Sequence, residues 1–288
     1  MRIVVAGGTG FVGRHLVAVL TEQGHDVVAM TRHPDGDGQV YGDIADGYSL
    51  LTALRGADVA HYLVHSLDRA DFEVYDADGA RRFAAAAVAN GVARLVYLGG
   101  LGEDGDDLSA HLRSRREVEH ILSAALPTVA LRAGIVVGAG SAAWEVLCQL
   151  VDRLPAMVTP RWVDTRTQPI ALDDVVALLA AATGDDVPPG SYDVGAPESV
   201  TYREMMLEIA HQRGHRRLIV PVPVLTPQLS SFWLRLVTTV DMQTARNLVD
   251  SMTNTVVVHD HRLEELTGVR PRPFATAVRE ALADRAAA

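Results

Sequence analysis

The sequence predicts an α/β protein built on a doubly wound parallel sheet, with a small C-terminal lobe. Over about the first 130 residues, short apolar runs alternate with longer segments whose apolar residues recur at helical spacing. Such runs are typical of strands buried on both faces, and their alternation with helices indicates a parallel sheet covered on both sides. Strand–helix–strand connections are right-handed in nearly all known sheets, so a doubly wound topology follows. After about residue 140 the alternation loosens and prolines become frequent, which indicates the smaller lobe.

Each element is predicted from a local signal. Strands are predicted at the short apolar runs, at residues 2–6, 26–30, 40–43, 58–64, 93–98 and from residue 127 onward. Helices are predicted where apolar residues recur every three or four positions, at residues 11–23, around 50–54, 71–90, 110–125, 141–153, 172–183 and 202–213. Gly24, Gly56 and Gly91 stand where the first three helices end, because glycine readily adopts the left-handed conformation that closes a helix.

Composition excludes several classes of protein. The 288 residues carry a formal net charge of −10, which argues against a general nucleic-acid binder and against a binder of anionic membranes. No apolar run approaches the ~18 residues that a membrane span needs, and the N-terminus does not resemble a signal peptide. All 26 basic residues are arginine, so a P-loop and a Schiff-base lysine are excluded. We therefore expect a cytoplasmic protein with no membrane span and no nucleic-acid partner.

A glycine-rich turn follows the first predicted strand directly and opens the first predicted helix. It reads Gly7-Gly8-Thr9-Gly10-Phe11-Val12-Gly13, a GxxGxxG pattern with one further glycine. Glycine permits a tight turn and a close approach of the backbone to a pyrophosphate, whose charge then lies on the exposed N–H groups of the helix start. At this place the pattern indicates a dinucleotide-binding Rossmann sheet. The alternative is a turn that only packs the helix on the strand.

The end of the second predicted strand indicates which dinucleotide is bound. An NAD site usually places a carboxylate there for the ribose hydroxyls, but this strand ends with Thr31 and Arg32. The Arg32 guanidinium suits a 2′-phosphate, which favours NADP(H); the alternative is a solvated arginine, with Asp35 or Asp37 serving the ribose of NAD. Asp43, after the third strand, either hydrogen-bonds the adenine amino group or is a solvated loop residue.

These observations divide the chain into two regions. Residues 1–140 are predicted to form the dinucleotide-binding core, and residues 141–288 to complete the sheet and to form a substrate lobe. The second region holds all three tryptophans, which suits a small hydrophobic substrate, although ordinary core packing explains them equally well. Residues 225–240 have apolar side chains at helical spacing, typical of a homodimer face or of a cover for the pocket.

Four further stretches, at residues 95–102, 131–138, 168–175 and 192–198, carry a family resemblance. Together with the glycine turn they resemble the serine strand and the LRPGxxxG, QPVxxxDVA and YxLGGPE segments of the short-chain dehydrogenase/reductase superfamily, in its extended and atypical branches. The likeness is to NmrA-like and complex-I-39-kDa-subunit-like bacterial NAD(P)H-binding proteins, with Ala133 where proline is usual. The resemblance implies NAD(P)H binding and oxidoreductase chemistry.

The catalytic residues of that family are not matched. His111 stands where the family has its tyrosine, Arg115 where it has its lysine, and Gly99 or Gly100 where it has its serine. By this correspondence Arg115 is expected to hold the nicotinamide ribose. His111 either donates a proton, since an ordinary imidazole titrates near pH ~6.5, or is a surface-helix histidine. Losing a positioned acid typically costs about 10²–10⁴ in rate, which favours quinones or activated enones over simple ketones as acceptors.

The predicted site combines these signals. His65, after the fourth strand, is expected near the nicotinamide ribose, or else only to pack at the strand end. His111 and Arg115 are the catalytic candidates. The residues expected to bind the cofactor are Gly7, Thr9, Gly10, Phe11, Val12, Gly13, Thr31, Arg32, Asp43, Ile44, Leu63, Val64, His65, Gly99 and Arg115.

The expected function is that of an oxidoreductase that transfers hydride between NADPH and a hydrophobic carbonyl or quinone-like acceptor. The alternative is a non-catalytic NAD(P)H sensor of the NmrA type. No metal site is expected: His211 and His215 stand where a helix ends, so its C-terminal dipole explains them better, and no third motif supports His259 with His261. Cys148 is expected to be a buried core thiol, and a lone cysteine excludes disulfides within the chain.

Overall fold

The computed structural model describes residues 1–102, 108–221 and 242–287, so the segment 225–240 lies outside the described residues. The strands are β1 (Arg2–Ala6), β2 (Asp26–Thr31), β3 (Gln39–Tyr41), β4 (Val59–Tyr62), β5 (Arg94–Gly100), β6 (Thr128–Ala133), β7 (Val136–Val137), β8 (Ala156–Thr159), β9 (Arg166–Thr167), β10 (Ile170–Ala171), β11 (Gly190–Val194), β12 (Val200–Thr201) and β13 (Leu218–Pro221). The helices are α1 (Phe11–Glu22), α2 (Gly47–Ala53), α3 (Phe72–Ala89), α4 (Ala110–Ala125), α5 (Ala142–Arg153), α6 (Leu172–Ala181), α7 (Tyr202–Gln212), α8 (Met242–Ser251), α9 (Arg262–Thr267) and α10 (Phe274–Ala287), with a 3₁₀ helix at Arg161–Asp164.

Seven of these strands form one parallel sheet in the order β11-β6-β5-β4-β1-β2-β3. At its centre Val4 of β1 is paired with Val28 of β2 on one side and with Ala60 of β4 on the other. The chain adds β2 and β3 on one side of β1 and then crosses over to add β4, β5 and β6 on the other. The predicted doubly wound Rossmann sheet is therefore confirmed. In such sheets a crevice forms at the carboxyl ends of the strands where the order reverses, here between β1 and β4.

Helices cover both faces of the sheet, because each presents an apolar stripe to it. Leu16 and Leu20 of α1 pack with Leu179 of α6 on one face. Leu50 of α2 and Phe83 of α3 pack on the opposite face, together with α4. Burial of such side chains is the main stabilising term of the fold, at about 1.5–3 kcal/mol for each fully buried large aliphatic or aromatic group.

A third apolar cluster lies in the C-terminal half. Leu147 of α5, Met205 of α7 and Val278 of α10 belong to it, and Cys148 is buried there as a free thiol. Helix α8 contacts α4, and Asn247 of α8 donates to the carbonyl oxygen of Leu67 at 2.9 Å. These contacts place part of the C-terminal half over the carboxyl edge of the large sheet. None of the described helices is both long enough and apolar enough to pass through a bilayer.

Two strands end earlier than the sequence predicts. The fourth, predicted over residues 58–64, ends at Tyr62, and the carbonyl oxygen of Val64 accepts a hydrogen bond from the side chain of Arg115 instead of from a neighbouring strand. The third, predicted over residues 40–43, ends at Tyr41, and the N–H of Asp43 donates to the Ser49 hydroxyl at the start of α2. In both places a side chain replaces the backbone partner, which frees the strand end to turn toward the crevice.

Candidate functional site

A cavity of about 770 Å³ opens at the carboxyl edge of the large sheet, above the reversal between β1 and β4. Its volume lies in the range of small-molecule and cofactor sites. The catalytic and cofactor-binding residues of the predicted site all line this one cavity, whereas Asp35 and Asp37, the alternative ribose ligands, do not. The residues that line it are Gly7, Thr9, Gly10, Phe11, Val12, Gly13, Thr31, Arg32, Asp43, Ile44, Leu63, Val64, His65, Gly99, His111 and Arg115.

The glycine turn is shaped first by its own packing. Gly7 has a φ of +80°, which side-chain-bearing residues rarely adopt. A Cβ atom on Gly13 would lie 2.1 Å from the carbonyl oxygen of Gly7, and one on Gly8 would lie 2.7 Å from the Cβ of Ala29 on β2. These three glycines are therefore required for the turn to close against α1 and β2, whatever the turn binds.

Gly10 differs, because it is exposed and lines the cavity. It is the N-cap residue of α1, and no side chain caps this helix start; its first turn also holds no acidic residue. The N–H groups of a first turn lack partners within the helix and carry the positive end of its dipole. Phe11 and Val12, the first two residues of that turn, also line the cavity. This set of donors suits a diphosphate.

Beside the turn, at the ends of β2 and β3, the cavity wall is polar. Thr9 donates through its hydroxyl to that of Thr31 at 3.2 Å, and Arg32 follows, exposed, on the rim. Within the described part of the chain, Arg32 has no ion pair. Asp43 accepts the N–H of Ala45 through Oδ1 at 2.9 Å, and the neighbouring Ile44 is buried in the same wall. This end of the cavity thus combines the Arg32 guanidinium, which has no ion pair among the described residues, with the Asp43 carboxylate, of which one oxygen accepts a backbone N–H.

Arg115 lies at the opposite end, buried beneath the cavity wall. Its guanidinium donates to the carbonyl oxygens of Val64, at 3.2 Å, and Leu98, and lies 5.1 Å from the ring centroid of Tyr97. The Tyr97 hydroxyl in turn donates to the carbonyl oxygen of Arg115 at 3.0 Å. Because a guanidinium has five N–H groups, these bonds leave further donors on Arg115.

His111 lies one helical turn before Arg115 and is partly buried in the cavity wall, not on an open helix surface. Burial, the Arg115 guanidinium and His65 together lower the pKa of His111 to about 3. Its Nδ1 is buried and has no hydrogen-bond partner among the described residues. The imidazole is therefore neutral near pH 7, so the sequence argument from an ordinary titration near pH ~6.5 does not apply in the folded chain.

The strand that resembles the serine strand of the family has no room for a side chain at its end. A Cβ atom on Gly99 would lie 2.8 Å from the Tyr97 ring, and one on Gly100 would lie 2.9 Å from Cδ2 of Leu112. On the adjacent strand end, His65 is exposed to the cavity and Leu63 is partly buried. The place of a serine hydroxyl is thus filled by neighbouring side chains.

The sequence did not identify the rest of the wall. The C-terminal half contributes apolar and hydroxyl side chains, among them Ile135, Ser141, Thr167, Tyr202, Leu248 and Val256. Behind the loop that follows β4, the buried carboxylate of Asp76 accepts the N–H of Ser66 at 3.3 Å. Burial raises the pKa of Asp76, while Ser66 and Arg115 act in the opposite direction. Among these side chains, Ile135 and Ser66 had a signal in the strand-end rule, because they follow β6 and β4 within a few residues.

Comparison with known proteins gives a consistent set of relatives. A family model described as NAD(P)H-binding matches residues 7–128. A ceramide reductase of Caulobacter vibrioides is 30% identical over 236 residues, which cover 77% of this chain and 73% of that protein. A 2-alkyl-3-oxoalkanoate reductase of Stenotrophomonas maltophilia is 33% identical over 186 residues, 54% of each chain. The chain spans only about a quarter of the length of three uncharacterized mycobacterial relatives.

Solved structures agree on the fold. A crystal structure of an NADPH-dependent quinone oxidoreductase from Escherichia coli, complexed with NADPH, superposes with a TM-score of 0.78. The match covers 96% of this chain and 98% of that one, at 20% sequence identity. At this identity the likeness establishes the architecture alone.

Proposed function

Because the chain belongs to the short-chain dehydrogenase/reductase superfamily of NAD(P)H-binding oxidoreductases, in its atypical branch, we propose that it is an NADPH-dependent reductase of a hydrophobic carbonyl or quinone-like acceptor. One observation carries the proposal. A single cavity joins a helix start without a side-chain cap and Arg32, which has no ion pair among the described residues, at one end to a compartment of apolar and hydroxyl side chains at the other. Two relatives are named as reductases, which supports reduction as the direction of the reaction.

The residues present fit NADPH. The first-turn N–H groups at Phe11 and Val12 would hold the diphosphate, and Arg32 the 2′-phosphate, since a guanidinium matches phosphate geometry. Asp43 would accept a hydrogen bond from the adenine amino group through Oδ2, since Oδ1 already accepts the N–H of Ala45. Arg115 would donate to the nicotinamide ribose with the N–H groups that Val64 and Leu98 leave free. When bound, the reduced nicotinamide supplies a hydride.

The chain's own proton chemistry is restricted. Arg115 stays protonated and cannot act as a base, and the neutral His111 donates only through an N–H of low acidity. With glycines at the serine position and no tyrosine–lysine pair, the site has no strong general acid from the family's usual set. Acceptors whose reduced form needs little acid catalysis, such as quinones and activated ketones, therefore fit best.

The C-terminal half forms the other side of this cavity. We assign residues 141–288 to substrate binding, because α5, α7, α8 and the residues that follow α8 bring apolar side chains such as Leu248 and Val256 to the cavity. Closing an apolar wall over the nicotinamide end excludes water, which protects a hydride donor from competing reactions. This arrangement favours a reductase over a sensor, for which a substrate compartment has no use.

The test separates binding from turnover. The purified chain is titrated with NADPH and NADH by calorimetry, and NADPH oxidation is then followed with menadione and a series of medium-chain ketones. We expect tighter binding of NADPH than of NADH, and oxidation that saturates with at least one acceptor. Binding without any turnover across the series would favour the sensor, and absence of binding at millimolar cofactor would overturn both.

A further inference from the structure

Two hydroxyl side chains of the C-terminal wall, those of Thr167 and Tyr202, are buried next to each other. Thr167 is 0% exposed, lines the cavity, and its Oγ1 has no hydrogen-bond partner within the described residues. Tyr202 is 3% exposed and lines the same wall; burial raises the pKa of its hydroxyl, and the adjacent Thr167 hydroxyl, as a hydrogen-bonding neighbour, acts in the opposite direction. By contrast, the Ser251 hydroxyl on this wall donates to the carbonyl oxygen of Leu248 at 2.8 Å. A buried hydroxyl without a partner is destabilising, so the Thr167–Tyr202 pair suits an oxygen brought by a ligand.

Both hydroxyls are held in place by rigid elements. Thr167 lies on β9, which pairs with β12, and the next residue donates its N–H to the carbonyl oxygen of Val256 at 2.9 Å. Tyr202 is the first residue of α7, whose start is fixed by a capping box, and its ring packs edge-on against Trp162 at 5.8 Å between centroids. Neither side chain can swing out to water, so their donors are positioned before any ligand arrives.

The surroundings of this pair carry no charge. The described cavity-lining residues from position 133 to position 256 include no acidic or basic side chain. The Arg115 guanidinium, which lines another part of the same cavity, donates to two backbone carbonyls. An ionised carboxylate in this wall would lose its hydration without gaining a cation, whereas an uncharged oxygen needs only hydrogen bonds.

We propose that Thr167 and Tyr202 form a hydroxyl subsite that recognises an uncharged oxygen, of the ester, amide or alcohol class, on an otherwise apolar substrate. The flanking side chains, such as Ile135 and Val256, take the apolar chain on either side of that oxygen. The subsite selects neutral substrates over their carboxylate counterparts. This inference rests on the proposed function, since it names the substrate class of the same reductase site.

The test uses a matched pair of probes, methyl 3-oxodecanoate and 3-oxodecanoate, which share a ketone and a chain and differ in charge at about pH 8. Binding is measured by calorimetry with oxidised NADP present, so that no turnover intervenes. We expect the wild type to bind the ester at least about tenfold more tightly than the acid. Thr167→Val and Tyr202→Phe, which remove one hydroxyl each and keep the shape, are each expected to weaken ester binding about tenfold.

Three further readouts distinguish recognition from damage. Both variants are expected to bind NADPH as the wild type does and to melt at the same or a higher temperature, because each removes a buried polar group. Ser251→Ala, which removes a hydroxyl already satisfied by Leu248, is the control and is expected to bind the ester nearly as the wild type does. Unaltered ester affinity in both hydroxyl variants overturns the subsite.

The outcomes also separate this inference from the proposed function. Equal affinity for ester and acid, or no binding of the ester by a chain that binds NADPH, overturns the neutral-substrate assignment and leaves the reductase proposal standing. An ester that binds as expected and is never reduced by NADPH supports the subsite and counts against the reductase.

Discussion

The guanidinium of Arg115 donates a hydrogen bond to the carbonyl oxygen of Val64 at 3.2 Å, and so joins α4 to the end of β4. Its second bond, to the carbonyl oxygen of Leu98, reaches the adjacent β5. The Arg115 side chain thus links the ends of β4 and β5 beneath the cavity. It also provides a hydrogen bond to the carbonyl oxygen of Val64, which lies beyond the last residue of β4. An ammonium group is a point donor on a flexible stem and lacks this planar fork.

Arg115→Met removes both bonds and leaves two buried carbonyl oxygens without them. We expect a loss of about 2 kcal/mol in the free energy of unfolding, since hydrogen bonds from a charged group contribute roughly 1.5–3 kcal/mol. If the remaining N–H groups hold the nicotinamide ribose, NADPH affinity also falls at least about tenfold. Urea denaturation and NADPH calorimetry measure the two effects separately.

The control is Arg113→Met on the same helix: its guanidinium pairs with the exposed Glu73 and donates to the carbonyl oxygen of Leu108, but it does not line the cavity, so NADPH affinity is expected to stay unchanged. Arg115→Lys keeps the charge without the fork and is expected to recover only part of either effect. Cofactor affinity that is unaltered in a stably folded Arg115→Met chain would show that Arg115 is a structural residue alone.

Arg32 tests the choice of dinucleotide. It is exposed on the cavity rim with no ion pair among the described residues, so its removal disturbs little of the fold. Arg32→Gln is expected to weaken NADPH binding about tenfold to a hundredfold and to leave NADH binding nearly unchanged. Arg32→Asp is expected to reverse the preference, because a carboxylate repels the 2′-phosphate and accepts from ribose hydroxyls.

The comparison is made by titrating each variant with both reduced cofactors. Arg55→Gln, an exposed arginine outside the cavity, serves as the control for the loss of one positive charge. Equal affinities of the wild type for NADPH and NADH would remove the phosphate role of Arg32.

The cavity-lining residues at the strand ends could be predicted from the sequence, and those of the C-terminal wall could not. Gly7, Arg32 and His65 each follow a strand of a parallel sheet, and topology brings all such strand ends to one edge. Thr167 and Tyr202 follow no such rule. They reach the cavity through β9, β12 and α7, whose positions depend on packing between segments far apart in sequence. The protonation of His111 was unpredictable for the same reason, because its pKa depends on burial and on Arg115 in the folded chain.

The neutral state of His111 predicts a loss of stability in acid. In the unfolded chain a histidine titrates near pH ~6.5, whereas the pKa of His111 in the folded chain is about 3. Between these values the unfolded state binds more protons, so stability falls as the pH is lowered through this range. At about pH 5 the contribution of this one group is a loss of about 2 kcal/mol relative to neutral pH, at ~1.4 kcal/mol per pH unit.

The substitution His111→Gln removes this pH-dependent contribution to the free energy of unfolding. We expect the difference in the free energy of unfolding between about pH 7 and pH 5 to be smaller by about 2 kcal/mol in this variant. The buried His61, whose pKa burial also lowers to about 3, keeps a similar acid sensitivity in both chains. Urea denaturation at the two pH values gives the result, and an unchanged difference would mean that the pKa of His111 is the same in the folded and the unfolded chain.

Two alanine substitutions in the glycine turn, three residues apart, distinguish its role in packing from its role in cofactor binding. Gly13→Ala places a Cβ 2.1 Å from the backbone oxygen of Gly7, so the turn must shift, and we expect a loss of about 1–3 kcal/mol in the free energy of unfolding.

Gly10→Ala places its Cβ 3.1 Å from the same oxygen, at an exposed position in the cavity wall. It is expected to change stability little and yet to weaken NADPH binding at least about tenfold, because a methyl group then occupies the approach to the helix start. Urea denaturation and NADPH calorimetry on both variants provide the measurements. If Gly10→Ala bound NADPH as tightly as the wild type, the diphosphate would have to lie elsewhere, and the turn would be explained by packing alone.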